Sequence, residues 1–504
     1  MKARNIAAHT VFNFLNIFVT SVQGILVSVI LARKLAPDLM GSYSLVLYLN
    51  SLCGYPINRG FVTTTMRLLA AALGKNDHEE AAAVLSHSVR VLLVNGLILS
   101  LGWVLLAPGF GFLYHDQSLP LALWISGLGL LPFAMIQLLT AACQGLQRYD
   151  QVALNTAVTA PLAIGGVFFA SRWGVPAVFL ALSLVYFVGM ALYLGFLFRW
   201  HPGWPRLKPS PETRRKMWSY SFPILGMLLL DAVVWQRSGV FFLGFFSPAK
   251  EIAFYSLAFG LATMAMRLVP GTLIGLLIPS MSRSHGAGNL EGIGKIFRKS
   301  CQWMAILAFP VGFAGAILAP KVIELLYGKE YLSAAPSLVA LLVSGAVVMT
   351  YGFPASSVLY SADGEKTLLG IGLRVAVINV LLALLLIPFA GALGAAVANS
   401  LSQVASIVPG LRAVRKKLGT QPPFWILPKV TLASVAMSVP IALVSLRLPP
   451  LQALASALAL GVPVYFLALL LSKAFDETDL QMASELTKNL PGKKLWSTIL
   501  EWAK

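Results

Sequence analysis

Apolar runs of about 20 residues alternate with short polar connections along almost the whole chain, at about 8–31, 40–59, 82–107, 118–140, 151–171, 174–198, 218–246, 252–279, 298–319, 334–361, 366–388, 391–412, 424–446 and 450–472. Each is long enough to cross a hydrocarbon core of roughly 30 Å. Lipid offers no hydrogen bonds, so each must satisfy its own backbone, and an apolar run of this length does so as a helix. The pattern predicts an all-α polytopic membrane protein with about 14 transmembrane helices. The first run follows Lys2 and Arg4 directly and is too long and polar-spotted for a cleaved signal segment, so it reads as an uncleaved first span. Every connection is short, and even the basic, Pro-rich "HPGWPRLKPSPETRRK" (His201 to Lys216) is too small to hold a folded domain, which argues against a soluble catalytic module.

The two sides of that connection resemble each other. "YSLVLYLN" (Tyr43 to Asn50) falls on "YSLAFGLA" (Tyr255 to Ala262), and "GVPAVFLALSL" (Gly174 to Leu184) falls on "GALGAAVANSL" (Gly391 to Leu401). The order and a near-constant offset, with a short insertion before the second match, persist over six spans. Six is even, so both repeats enter from the same side and are expected to be related by an axis along the membrane normal. The expected organisation is an N-lobe of helices 1–6 (residues 1–200), a basic cytoplasmic linker (201–217) and a C-lobe of helices 7–12 (218–418). Two extra helices (419–472) follow, then a cytoplasmic tail (473–504) whose Leu480, Met482, Leu486 and Leu490 suit a helix lying on the membrane surface.

Composition agrees with the pattern: 58% of residues are hydrophobic and 11% charged. The net charge of +19 has no soluble basic face to sit on, so nucleic acid is not the expected partner. Orientation accounts for it, because about 26 of the 38 basic residues fall in the even-numbered connections and termini, and about seven in the odd ones. By the positive-inside rule both termini face the cytoplasm. Cys53, Cys143 and Cys301 are odd in number and lie in or beside spans, which suggests neither disulfides nor a metal site.

Polar residues inside spans mark faces that avoid lipid. His9, Asn13, Asn16, Thr20 and Gln23 share one face of the first span, and Ser44, Tyr48, Ser51, Tyr55 and Arg59 one face of the second. The eighth span repeats the device with Ser256, Gly260, Thr263 and Arg267. Such faces line a cavity or pack helices together. Arg237, Arg267 and Arg374 lie too deep in their runs to snorkel easily, Arg90 is a fourth candidate, and Arg59 and Arg67 flank the end of the second span. An anion-facing role competes here with structural pairing or interfacial anchoring. Asp231 is the only acidic residue within a run. It is about 9 Å along the helix from Arg237, so it either pairs with Arg267 or Arg374 from another helix or carries a coupling proton. No phosphate-binding loop, HExxH, nucleophile elbow or Cys/His metal spacing is present. The chain is therefore not expected to be an enzyme or to hydrolyse ATP, and catalytic residues and bound metal are expected to be none.

From about Asn5 to Lys417 the chain resembles the polysaccharide flippases of the MOP superfamily, of the O-antigen flippase (Wzx) type, related to lipid II flippases and MATE exporters. The resemblance is carried by "LARKLAPDLMGSYSL" (Leu31 to Leu45), "YSFPILGMLLLDAVVWQRSGVFFLG" (Tyr220 to Gly244), "AFYSLAF" (Ala253 to Phe259) and "ELLYGKEYLSAAPSL" (Glu324 to Leu338). Gly239 stands near the position where family members often carry an acidic residue, so that role does not transfer. The resemblance implies two lobes around a cavity that opens alternately to each side of a bacterial inner membrane. The cargo it implies is an oligosaccharide on a polyprenyl pyrophosphate; the chemistry of the polar faces then puts Arg237, Arg267, Arg374, Arg90 and Arg59 toward the anion and Asn13, Asn16, Gln23, Tyr48 and Tyr55 toward the glycan as the expected contacts. It implies no cofactor, coupling if any to a proton or sodium gradient, and membrane lipids, polysaccharide polymerase and chain-length proteins as partners. Two rival readings stay open. A MATE-like small-molecule exporter of cations would expect an acidic cavity, and a glycan polymerase or ligase would expect a large outer loop and no repeat.

Overall fold

A computed structural model describes residues 3–58, 60–114, 119–201, 203, 206–234, 238–268, 274–362 and 364–475, without the side chains of 3–14, 227, 229–234, 268, 274–276, 279 and 365. Every regular element among them is a helix. In chain order these are α1 (Ala3–Lys34), α2 (Pro37–Asn58), α3 (Phe61–Gly74), α4 (His78–Leu113), α5 (Leu119–Gly145), α6 (Tyr149–Ala170), α7 (Val175–Trp200), α8 (Pro211–Val234) and α9 (Ser238–Phe246). They continue as α10 (Ala249–Leu268), α11 (Ile274–Gly286), α12 (Leu290–Leu326), α13 (Ala335–Val347), α14 (Phe353–Ser361), α15 (Glu365–Leu418), α16 (Ile426–Arg447) and α17 (Pro450–Leu471).

Ten helical segments among the described residues are long and apolar enough to cross a membrane, and the chain is a multi-pass membrane protein. The difference from about 14 apolar runs has local causes. α15 carries two runs that meet at Gly391, whose φ of 49° breaks the helix between them. α2 is long enough, but its Ser, Tyr and Asn residues lower its hydropathy. The runs at 218–246 and 252–279 pass through 235–237 and 269–273, outside the described residues.

The chain divides into two compact units, Met1–Ser256 and Leu257–Lys504. In the first, α5 packs on α4 and α7, and α6 packs on α1 and α7. The pattern of apolar runs predicts a connection over 61–74, yet these residues form α3. Gly60 makes the entry possible: its φ is 75°, and a Cβ there would stand 2.5 Å from the Ser221 carbonyl oxygen. A side chain fails on both counts. The start of α10 is fixed in the same way, by an Asp38 carboxylate oxygen that accepts from the Lys250 backbone N–H at 3.2 Å. A negative group there suits a helix N-terminus.

In the second unit α12 is the central element, packed against α13, α16 and α17. The α16–α17 hairpin is tied to it at three levels. Tyr465 Oη donates to the Ile306 carbonyl at 2.8 Å, Lys321 Nζ to the Leu448 carbonyl at 3.2 Å and Gln302 Nε2 to the Ala474 carbonyl at 3.2 Å. Between α13 and α14 the helix widens into a π turn at Val348–Gly352, just before Pro354. Such a turn accommodates the amide a proline lacks.

Candidate functional site

The polar stripe of α2 meets two other helices. Tyr48 and Ser51 of α2, Ser126 and Phe133 of α5, and Ser183 and Tyr186 of α7 surround a recess of 260 Å³ in the first unit. Asn50 and Phe179 complete its polar and aromatic lining, and Leu47, Leu130 and Leu182 its apolar part. α5 and α7 pack more extensively than any other pair here, and Gly129 of α5 permits it, since a Cβ there would sit 2.6 Å from Ser183 Oγ. Ser126 Oγ donates to Asn50 Oδ1 at 3.2 Å, and Ser51 Oγ to the Tyr48 carbonyl at 2.6 Å. The Phe133 and Tyr186 rings lie 5.1 Å apart, inclined at 47°. Among the described residues no Asp, Glu, Lys, Arg or His lines the recess.

Sequence reasoning found Tyr48 and Ser51 and missed the rest. A signal was there: Ser126, Gly129 and Phe133 follow at three and four residues, Phe179, Ser183 and Tyr186 at four and three, so each set shares a helix face. In runs this apolar, a stripe of two or three polar residues does not announce which helix it faces.

The other glycan-facing candidates are spread along α1 and α2. Asn16 accepts at Oδ1 from Thr156 Oγ1 at 2.5 Å, which joins α1 to α6. Gln23 and Tyr55 are half-buried, and the Asn13 side chain lies outside the described residues.

The anion candidates divide. Arg237 and Arg59 lie outside the described residues, as does the Asp231 side chain. Arg267, in the last turn of α10, and Arg374, near the start of α15, are exposed, and neither makes a hydrogen bond or ion pair with a described residue. Arg90 is half-buried on α4, and its Nη2 donates to Ser86 Oγ at 2.6 Å and to the Leu207 carbonyl. Ser86 Oγ donates to the same carbonyl at 2.8 Å. In this structure Arg90 therefore holds the chain's own linker.

The linker is fastened a second time further along. Ser210 Oγ donates to Glu80 Oε1 at 3.0 Å and accepts from the Thr213 backbone N–H at 3.2 Å, capping α8. One turn on, Lys216 pairs with Glu212 at 2.7 Å and holds that carboxyl below the usual carboxylate range. The first turns of α8 then rest on α3: Trp218 meets Phe61 edge-on at 5.0 Å, and Arg67 lies 4.7 Å over the Tyr220 ring.

A family model described as polysaccharide biosynthesis protein matches residues 30–336, and one described as lipid II flippase MurJ matches 240–472. The probable flippase AglR of Haloferax volcanii is 26% identical over 283 residues, which are 55% of this chain and 59% of that protein. The chain thus spans about three fifths of the length of that relative. Among solved structures, the inward closed conformation of the lipid II flippase MurJ aligns with a TM-score of 0.76 at 13% identity, over 91% of this chain and 98% of that one. An inward-facing MATE family transporter of the MOP superfamily aligns with a TM-score of 0.67 at 15% identity, over 79% and 94%. At these identities the structural likeness is one of fold.

Proposed function

We propose that this chain, which belongs to the polysaccharide biosynthesis protein family, is a flippase. In this reading it moves polyprenyl-pyrophosphate-linked oligosaccharide from the cytoplasmic to the outer leaflet of a bacterial inner membrane, for cell-surface polysaccharide such as O-antigen. The observation that carries the reading is the state of Arg267 and Arg374: two exposed guanidinium groups in the apolar runs, neither of them held by a described residue. An unpaired charge in a span costs at least about 2.5–3.5 kcal/mol, so it is retained where it faces an aqueous cavity or a counter-charge.

A pyrophosphate head group needs such a partner to cross the bilayer. Guanidinium remains ionised at any physiological pH and binds oxyanions through paired N–H groups. The glycan then meets hydroxyl, amide and aromatic side chains, while the polyprenyl tail stays in lipid. Two six-helix lobes, 1–200 and 218–418, would rock about the head group by alternating access, with both termini on the cytoplasmic side. Asp231, paired or proton-carrying, is the candidate for coupling to a proton or sodium gradient. The product would pass to a polymerase and its chain-length partner. An exporter of cationic compounds is disfavoured by the recess, whose described lining residues carry no acidic group.

The test is transport of a defined lipid-linked oligosaccharide by the protein in liposomes, with an impermeant glycan-modifying reagent reporting the leaflet. Arg267→Gln and Arg374→Gln should each lower the rate at unchanged protein level. Normal rates in both would remove the basis of the reading.

A further inference from the structure

We propose that the recess between α2, α5 and α7 is a binding site for one uncharged sugar ring. Four polar groups on its wall, Tyr48 Oη, Asn50 Nδ2, Ser183 Oγ and Tyr186 Oη, have no hydrogen-bond partner among the described residues. Two of them belong to residues otherwise packed into the protein: Tyr48 is 8% exposed and Ser183 3%. Their hydrogen-bonding capacity is open to whatever occupies the recess, a ligand with hydroxyl groups or water.

The lining states the chemistry of that ligand. With no ionisable acid or base beyond the tyrosines among the described residues of the wall, a charged group would enter without compensation from them. An alkyl chain would leave the four polar groups unmet. A sugar ring presents hydroxyls around its edge for Tyr, Ser and Asn, which donate and accept in any orientation the ring requires. Its C–H faces suit the aromatic walls supplied by Phe133, Tyr186 and Phe179. The volume of 260 Å³ lies just below the range of about 300–1,000 Å³ usual for drug-sized ligands, which fits one ring and not a chain. The flippase reading supplies the source of the sugar, a residue of the lipid-linked glycan; the chemistry of the recess stands without it.

The test uses the full chain in lipid nanodiscs and saturation-transfer NMR with methyl glucoside, methyl glucuronide and methylcyclohexane as probes. Methyl glucoside should give a saturable signal. The glucuronide, the same ring with a carboxylate, should bind at least tenfold more weakly, and methylcyclohexane should not compete. Ser183→Leu, which fills the recess, should abolish the glucoside signal. Tyr48→Phe with Tyr186→Phe keeps the shape, removes two hydroxyls, and should weaken binding at least fivefold. Equal glucoside signals in wild type and both variants, equal binding of glucuronide, or no glucoside signal at tens of millimolar overturns the proposal. Running the same proteins in the lipid-linked glycan assay separates the two readings. Sugar binding without transport in wild type leaves the site standing and removes the flippase reading. Transport by wild type and Ser183→Leu alike, with no sugar signal, does the reverse.

Discussion

Thr64 Oγ1 and Ser221 Oγ lie 3.1 Å apart, each side chain 1% exposed, and join α3 to the helix with which the sequence repeat begins its second half. Gly60 beside the Ser221 carbonyl, Phe61 against Trp218 and Arg67 over Tyr220 join the same two segments, and the first turns of α8 are part of the first unit. Gly60→Ala should cost of order 1–3 kcal/mol, from the left-handed backbone and the contact with the Ser221 carbonyl, and lower the melting temperature of the purified protein. A Thr64→Cys, Ser221→Cys pair, in a chain with its three native cysteines replaced by Ala, should form a disulfide under mild oxidant, seen as a gel shift reversed by reductant.

Arg90 offers a second test, because its bond to the Leu207 carbonyl holds a segment with no regular structure. Arg90→Leu should speed amide hydrogen exchange in residues 206–210 at least tenfold. Arg90→Lys should recover part of the protection, since both bonds come from the single Nη2 and an ammonium also carries several donors, though on a stem of different length and shape. Unchanged exchange in Arg90→Leu would mean that Glu80 and Ser210 suffice.

Arg267 and Arg374 should respond to the same substitutions in the same way. If both meet pyrophosphate, Gln at either position lowers kcat/KM for the lipid-linked cargo at least tenfold, a loss of about 1.4 kcal/mol. Lys should restore more than Gln, because charge is kept while the bidentate geometry is lost. A variant with normal transport but a lowered melting temperature would instead identify a structural arginine.

On the α16–α17 hairpin, polar ties and packing should weigh differently. Tyr465→Phe removes one hydrogen bond to the Ile306 carbonyl, worth about 0.6 kcal/mol on average between membrane helices. Gly461→Leu forces a side chain where even a Cβ would stand 2.8 Å from Ile441, and overpacking of this kind costs about 1–3 kcal/mol. Thermal melts in one detergent should therefore show a larger drop for the glycine variant.

The sequence by itself determined that the chain is a multi-pass bundle of apolar helices, because a run of about 20 apolar residues in lipid leaves no other way to satisfy its backbone. It also marked faces: Asn16, on the stripe of the first span, does meet another helix, at Thr156. Tertiary structure alone decided the partners. α3 is 14 residues long, too short for hydropathy to mark as a span, and its place depends on Gly60 and on the Ser221 backbone beside it. Arg90 reads in sequence as a charge in an apolar run and in the fold as the clasp of a carbonyl 117 residues away. The recess depends on the rotation of three helices about their own axes. Lipid is as apolar as the faces that pack, so hydropathy carries no information about that rotation, and small residues such as Gly129 set it by letting helices approach.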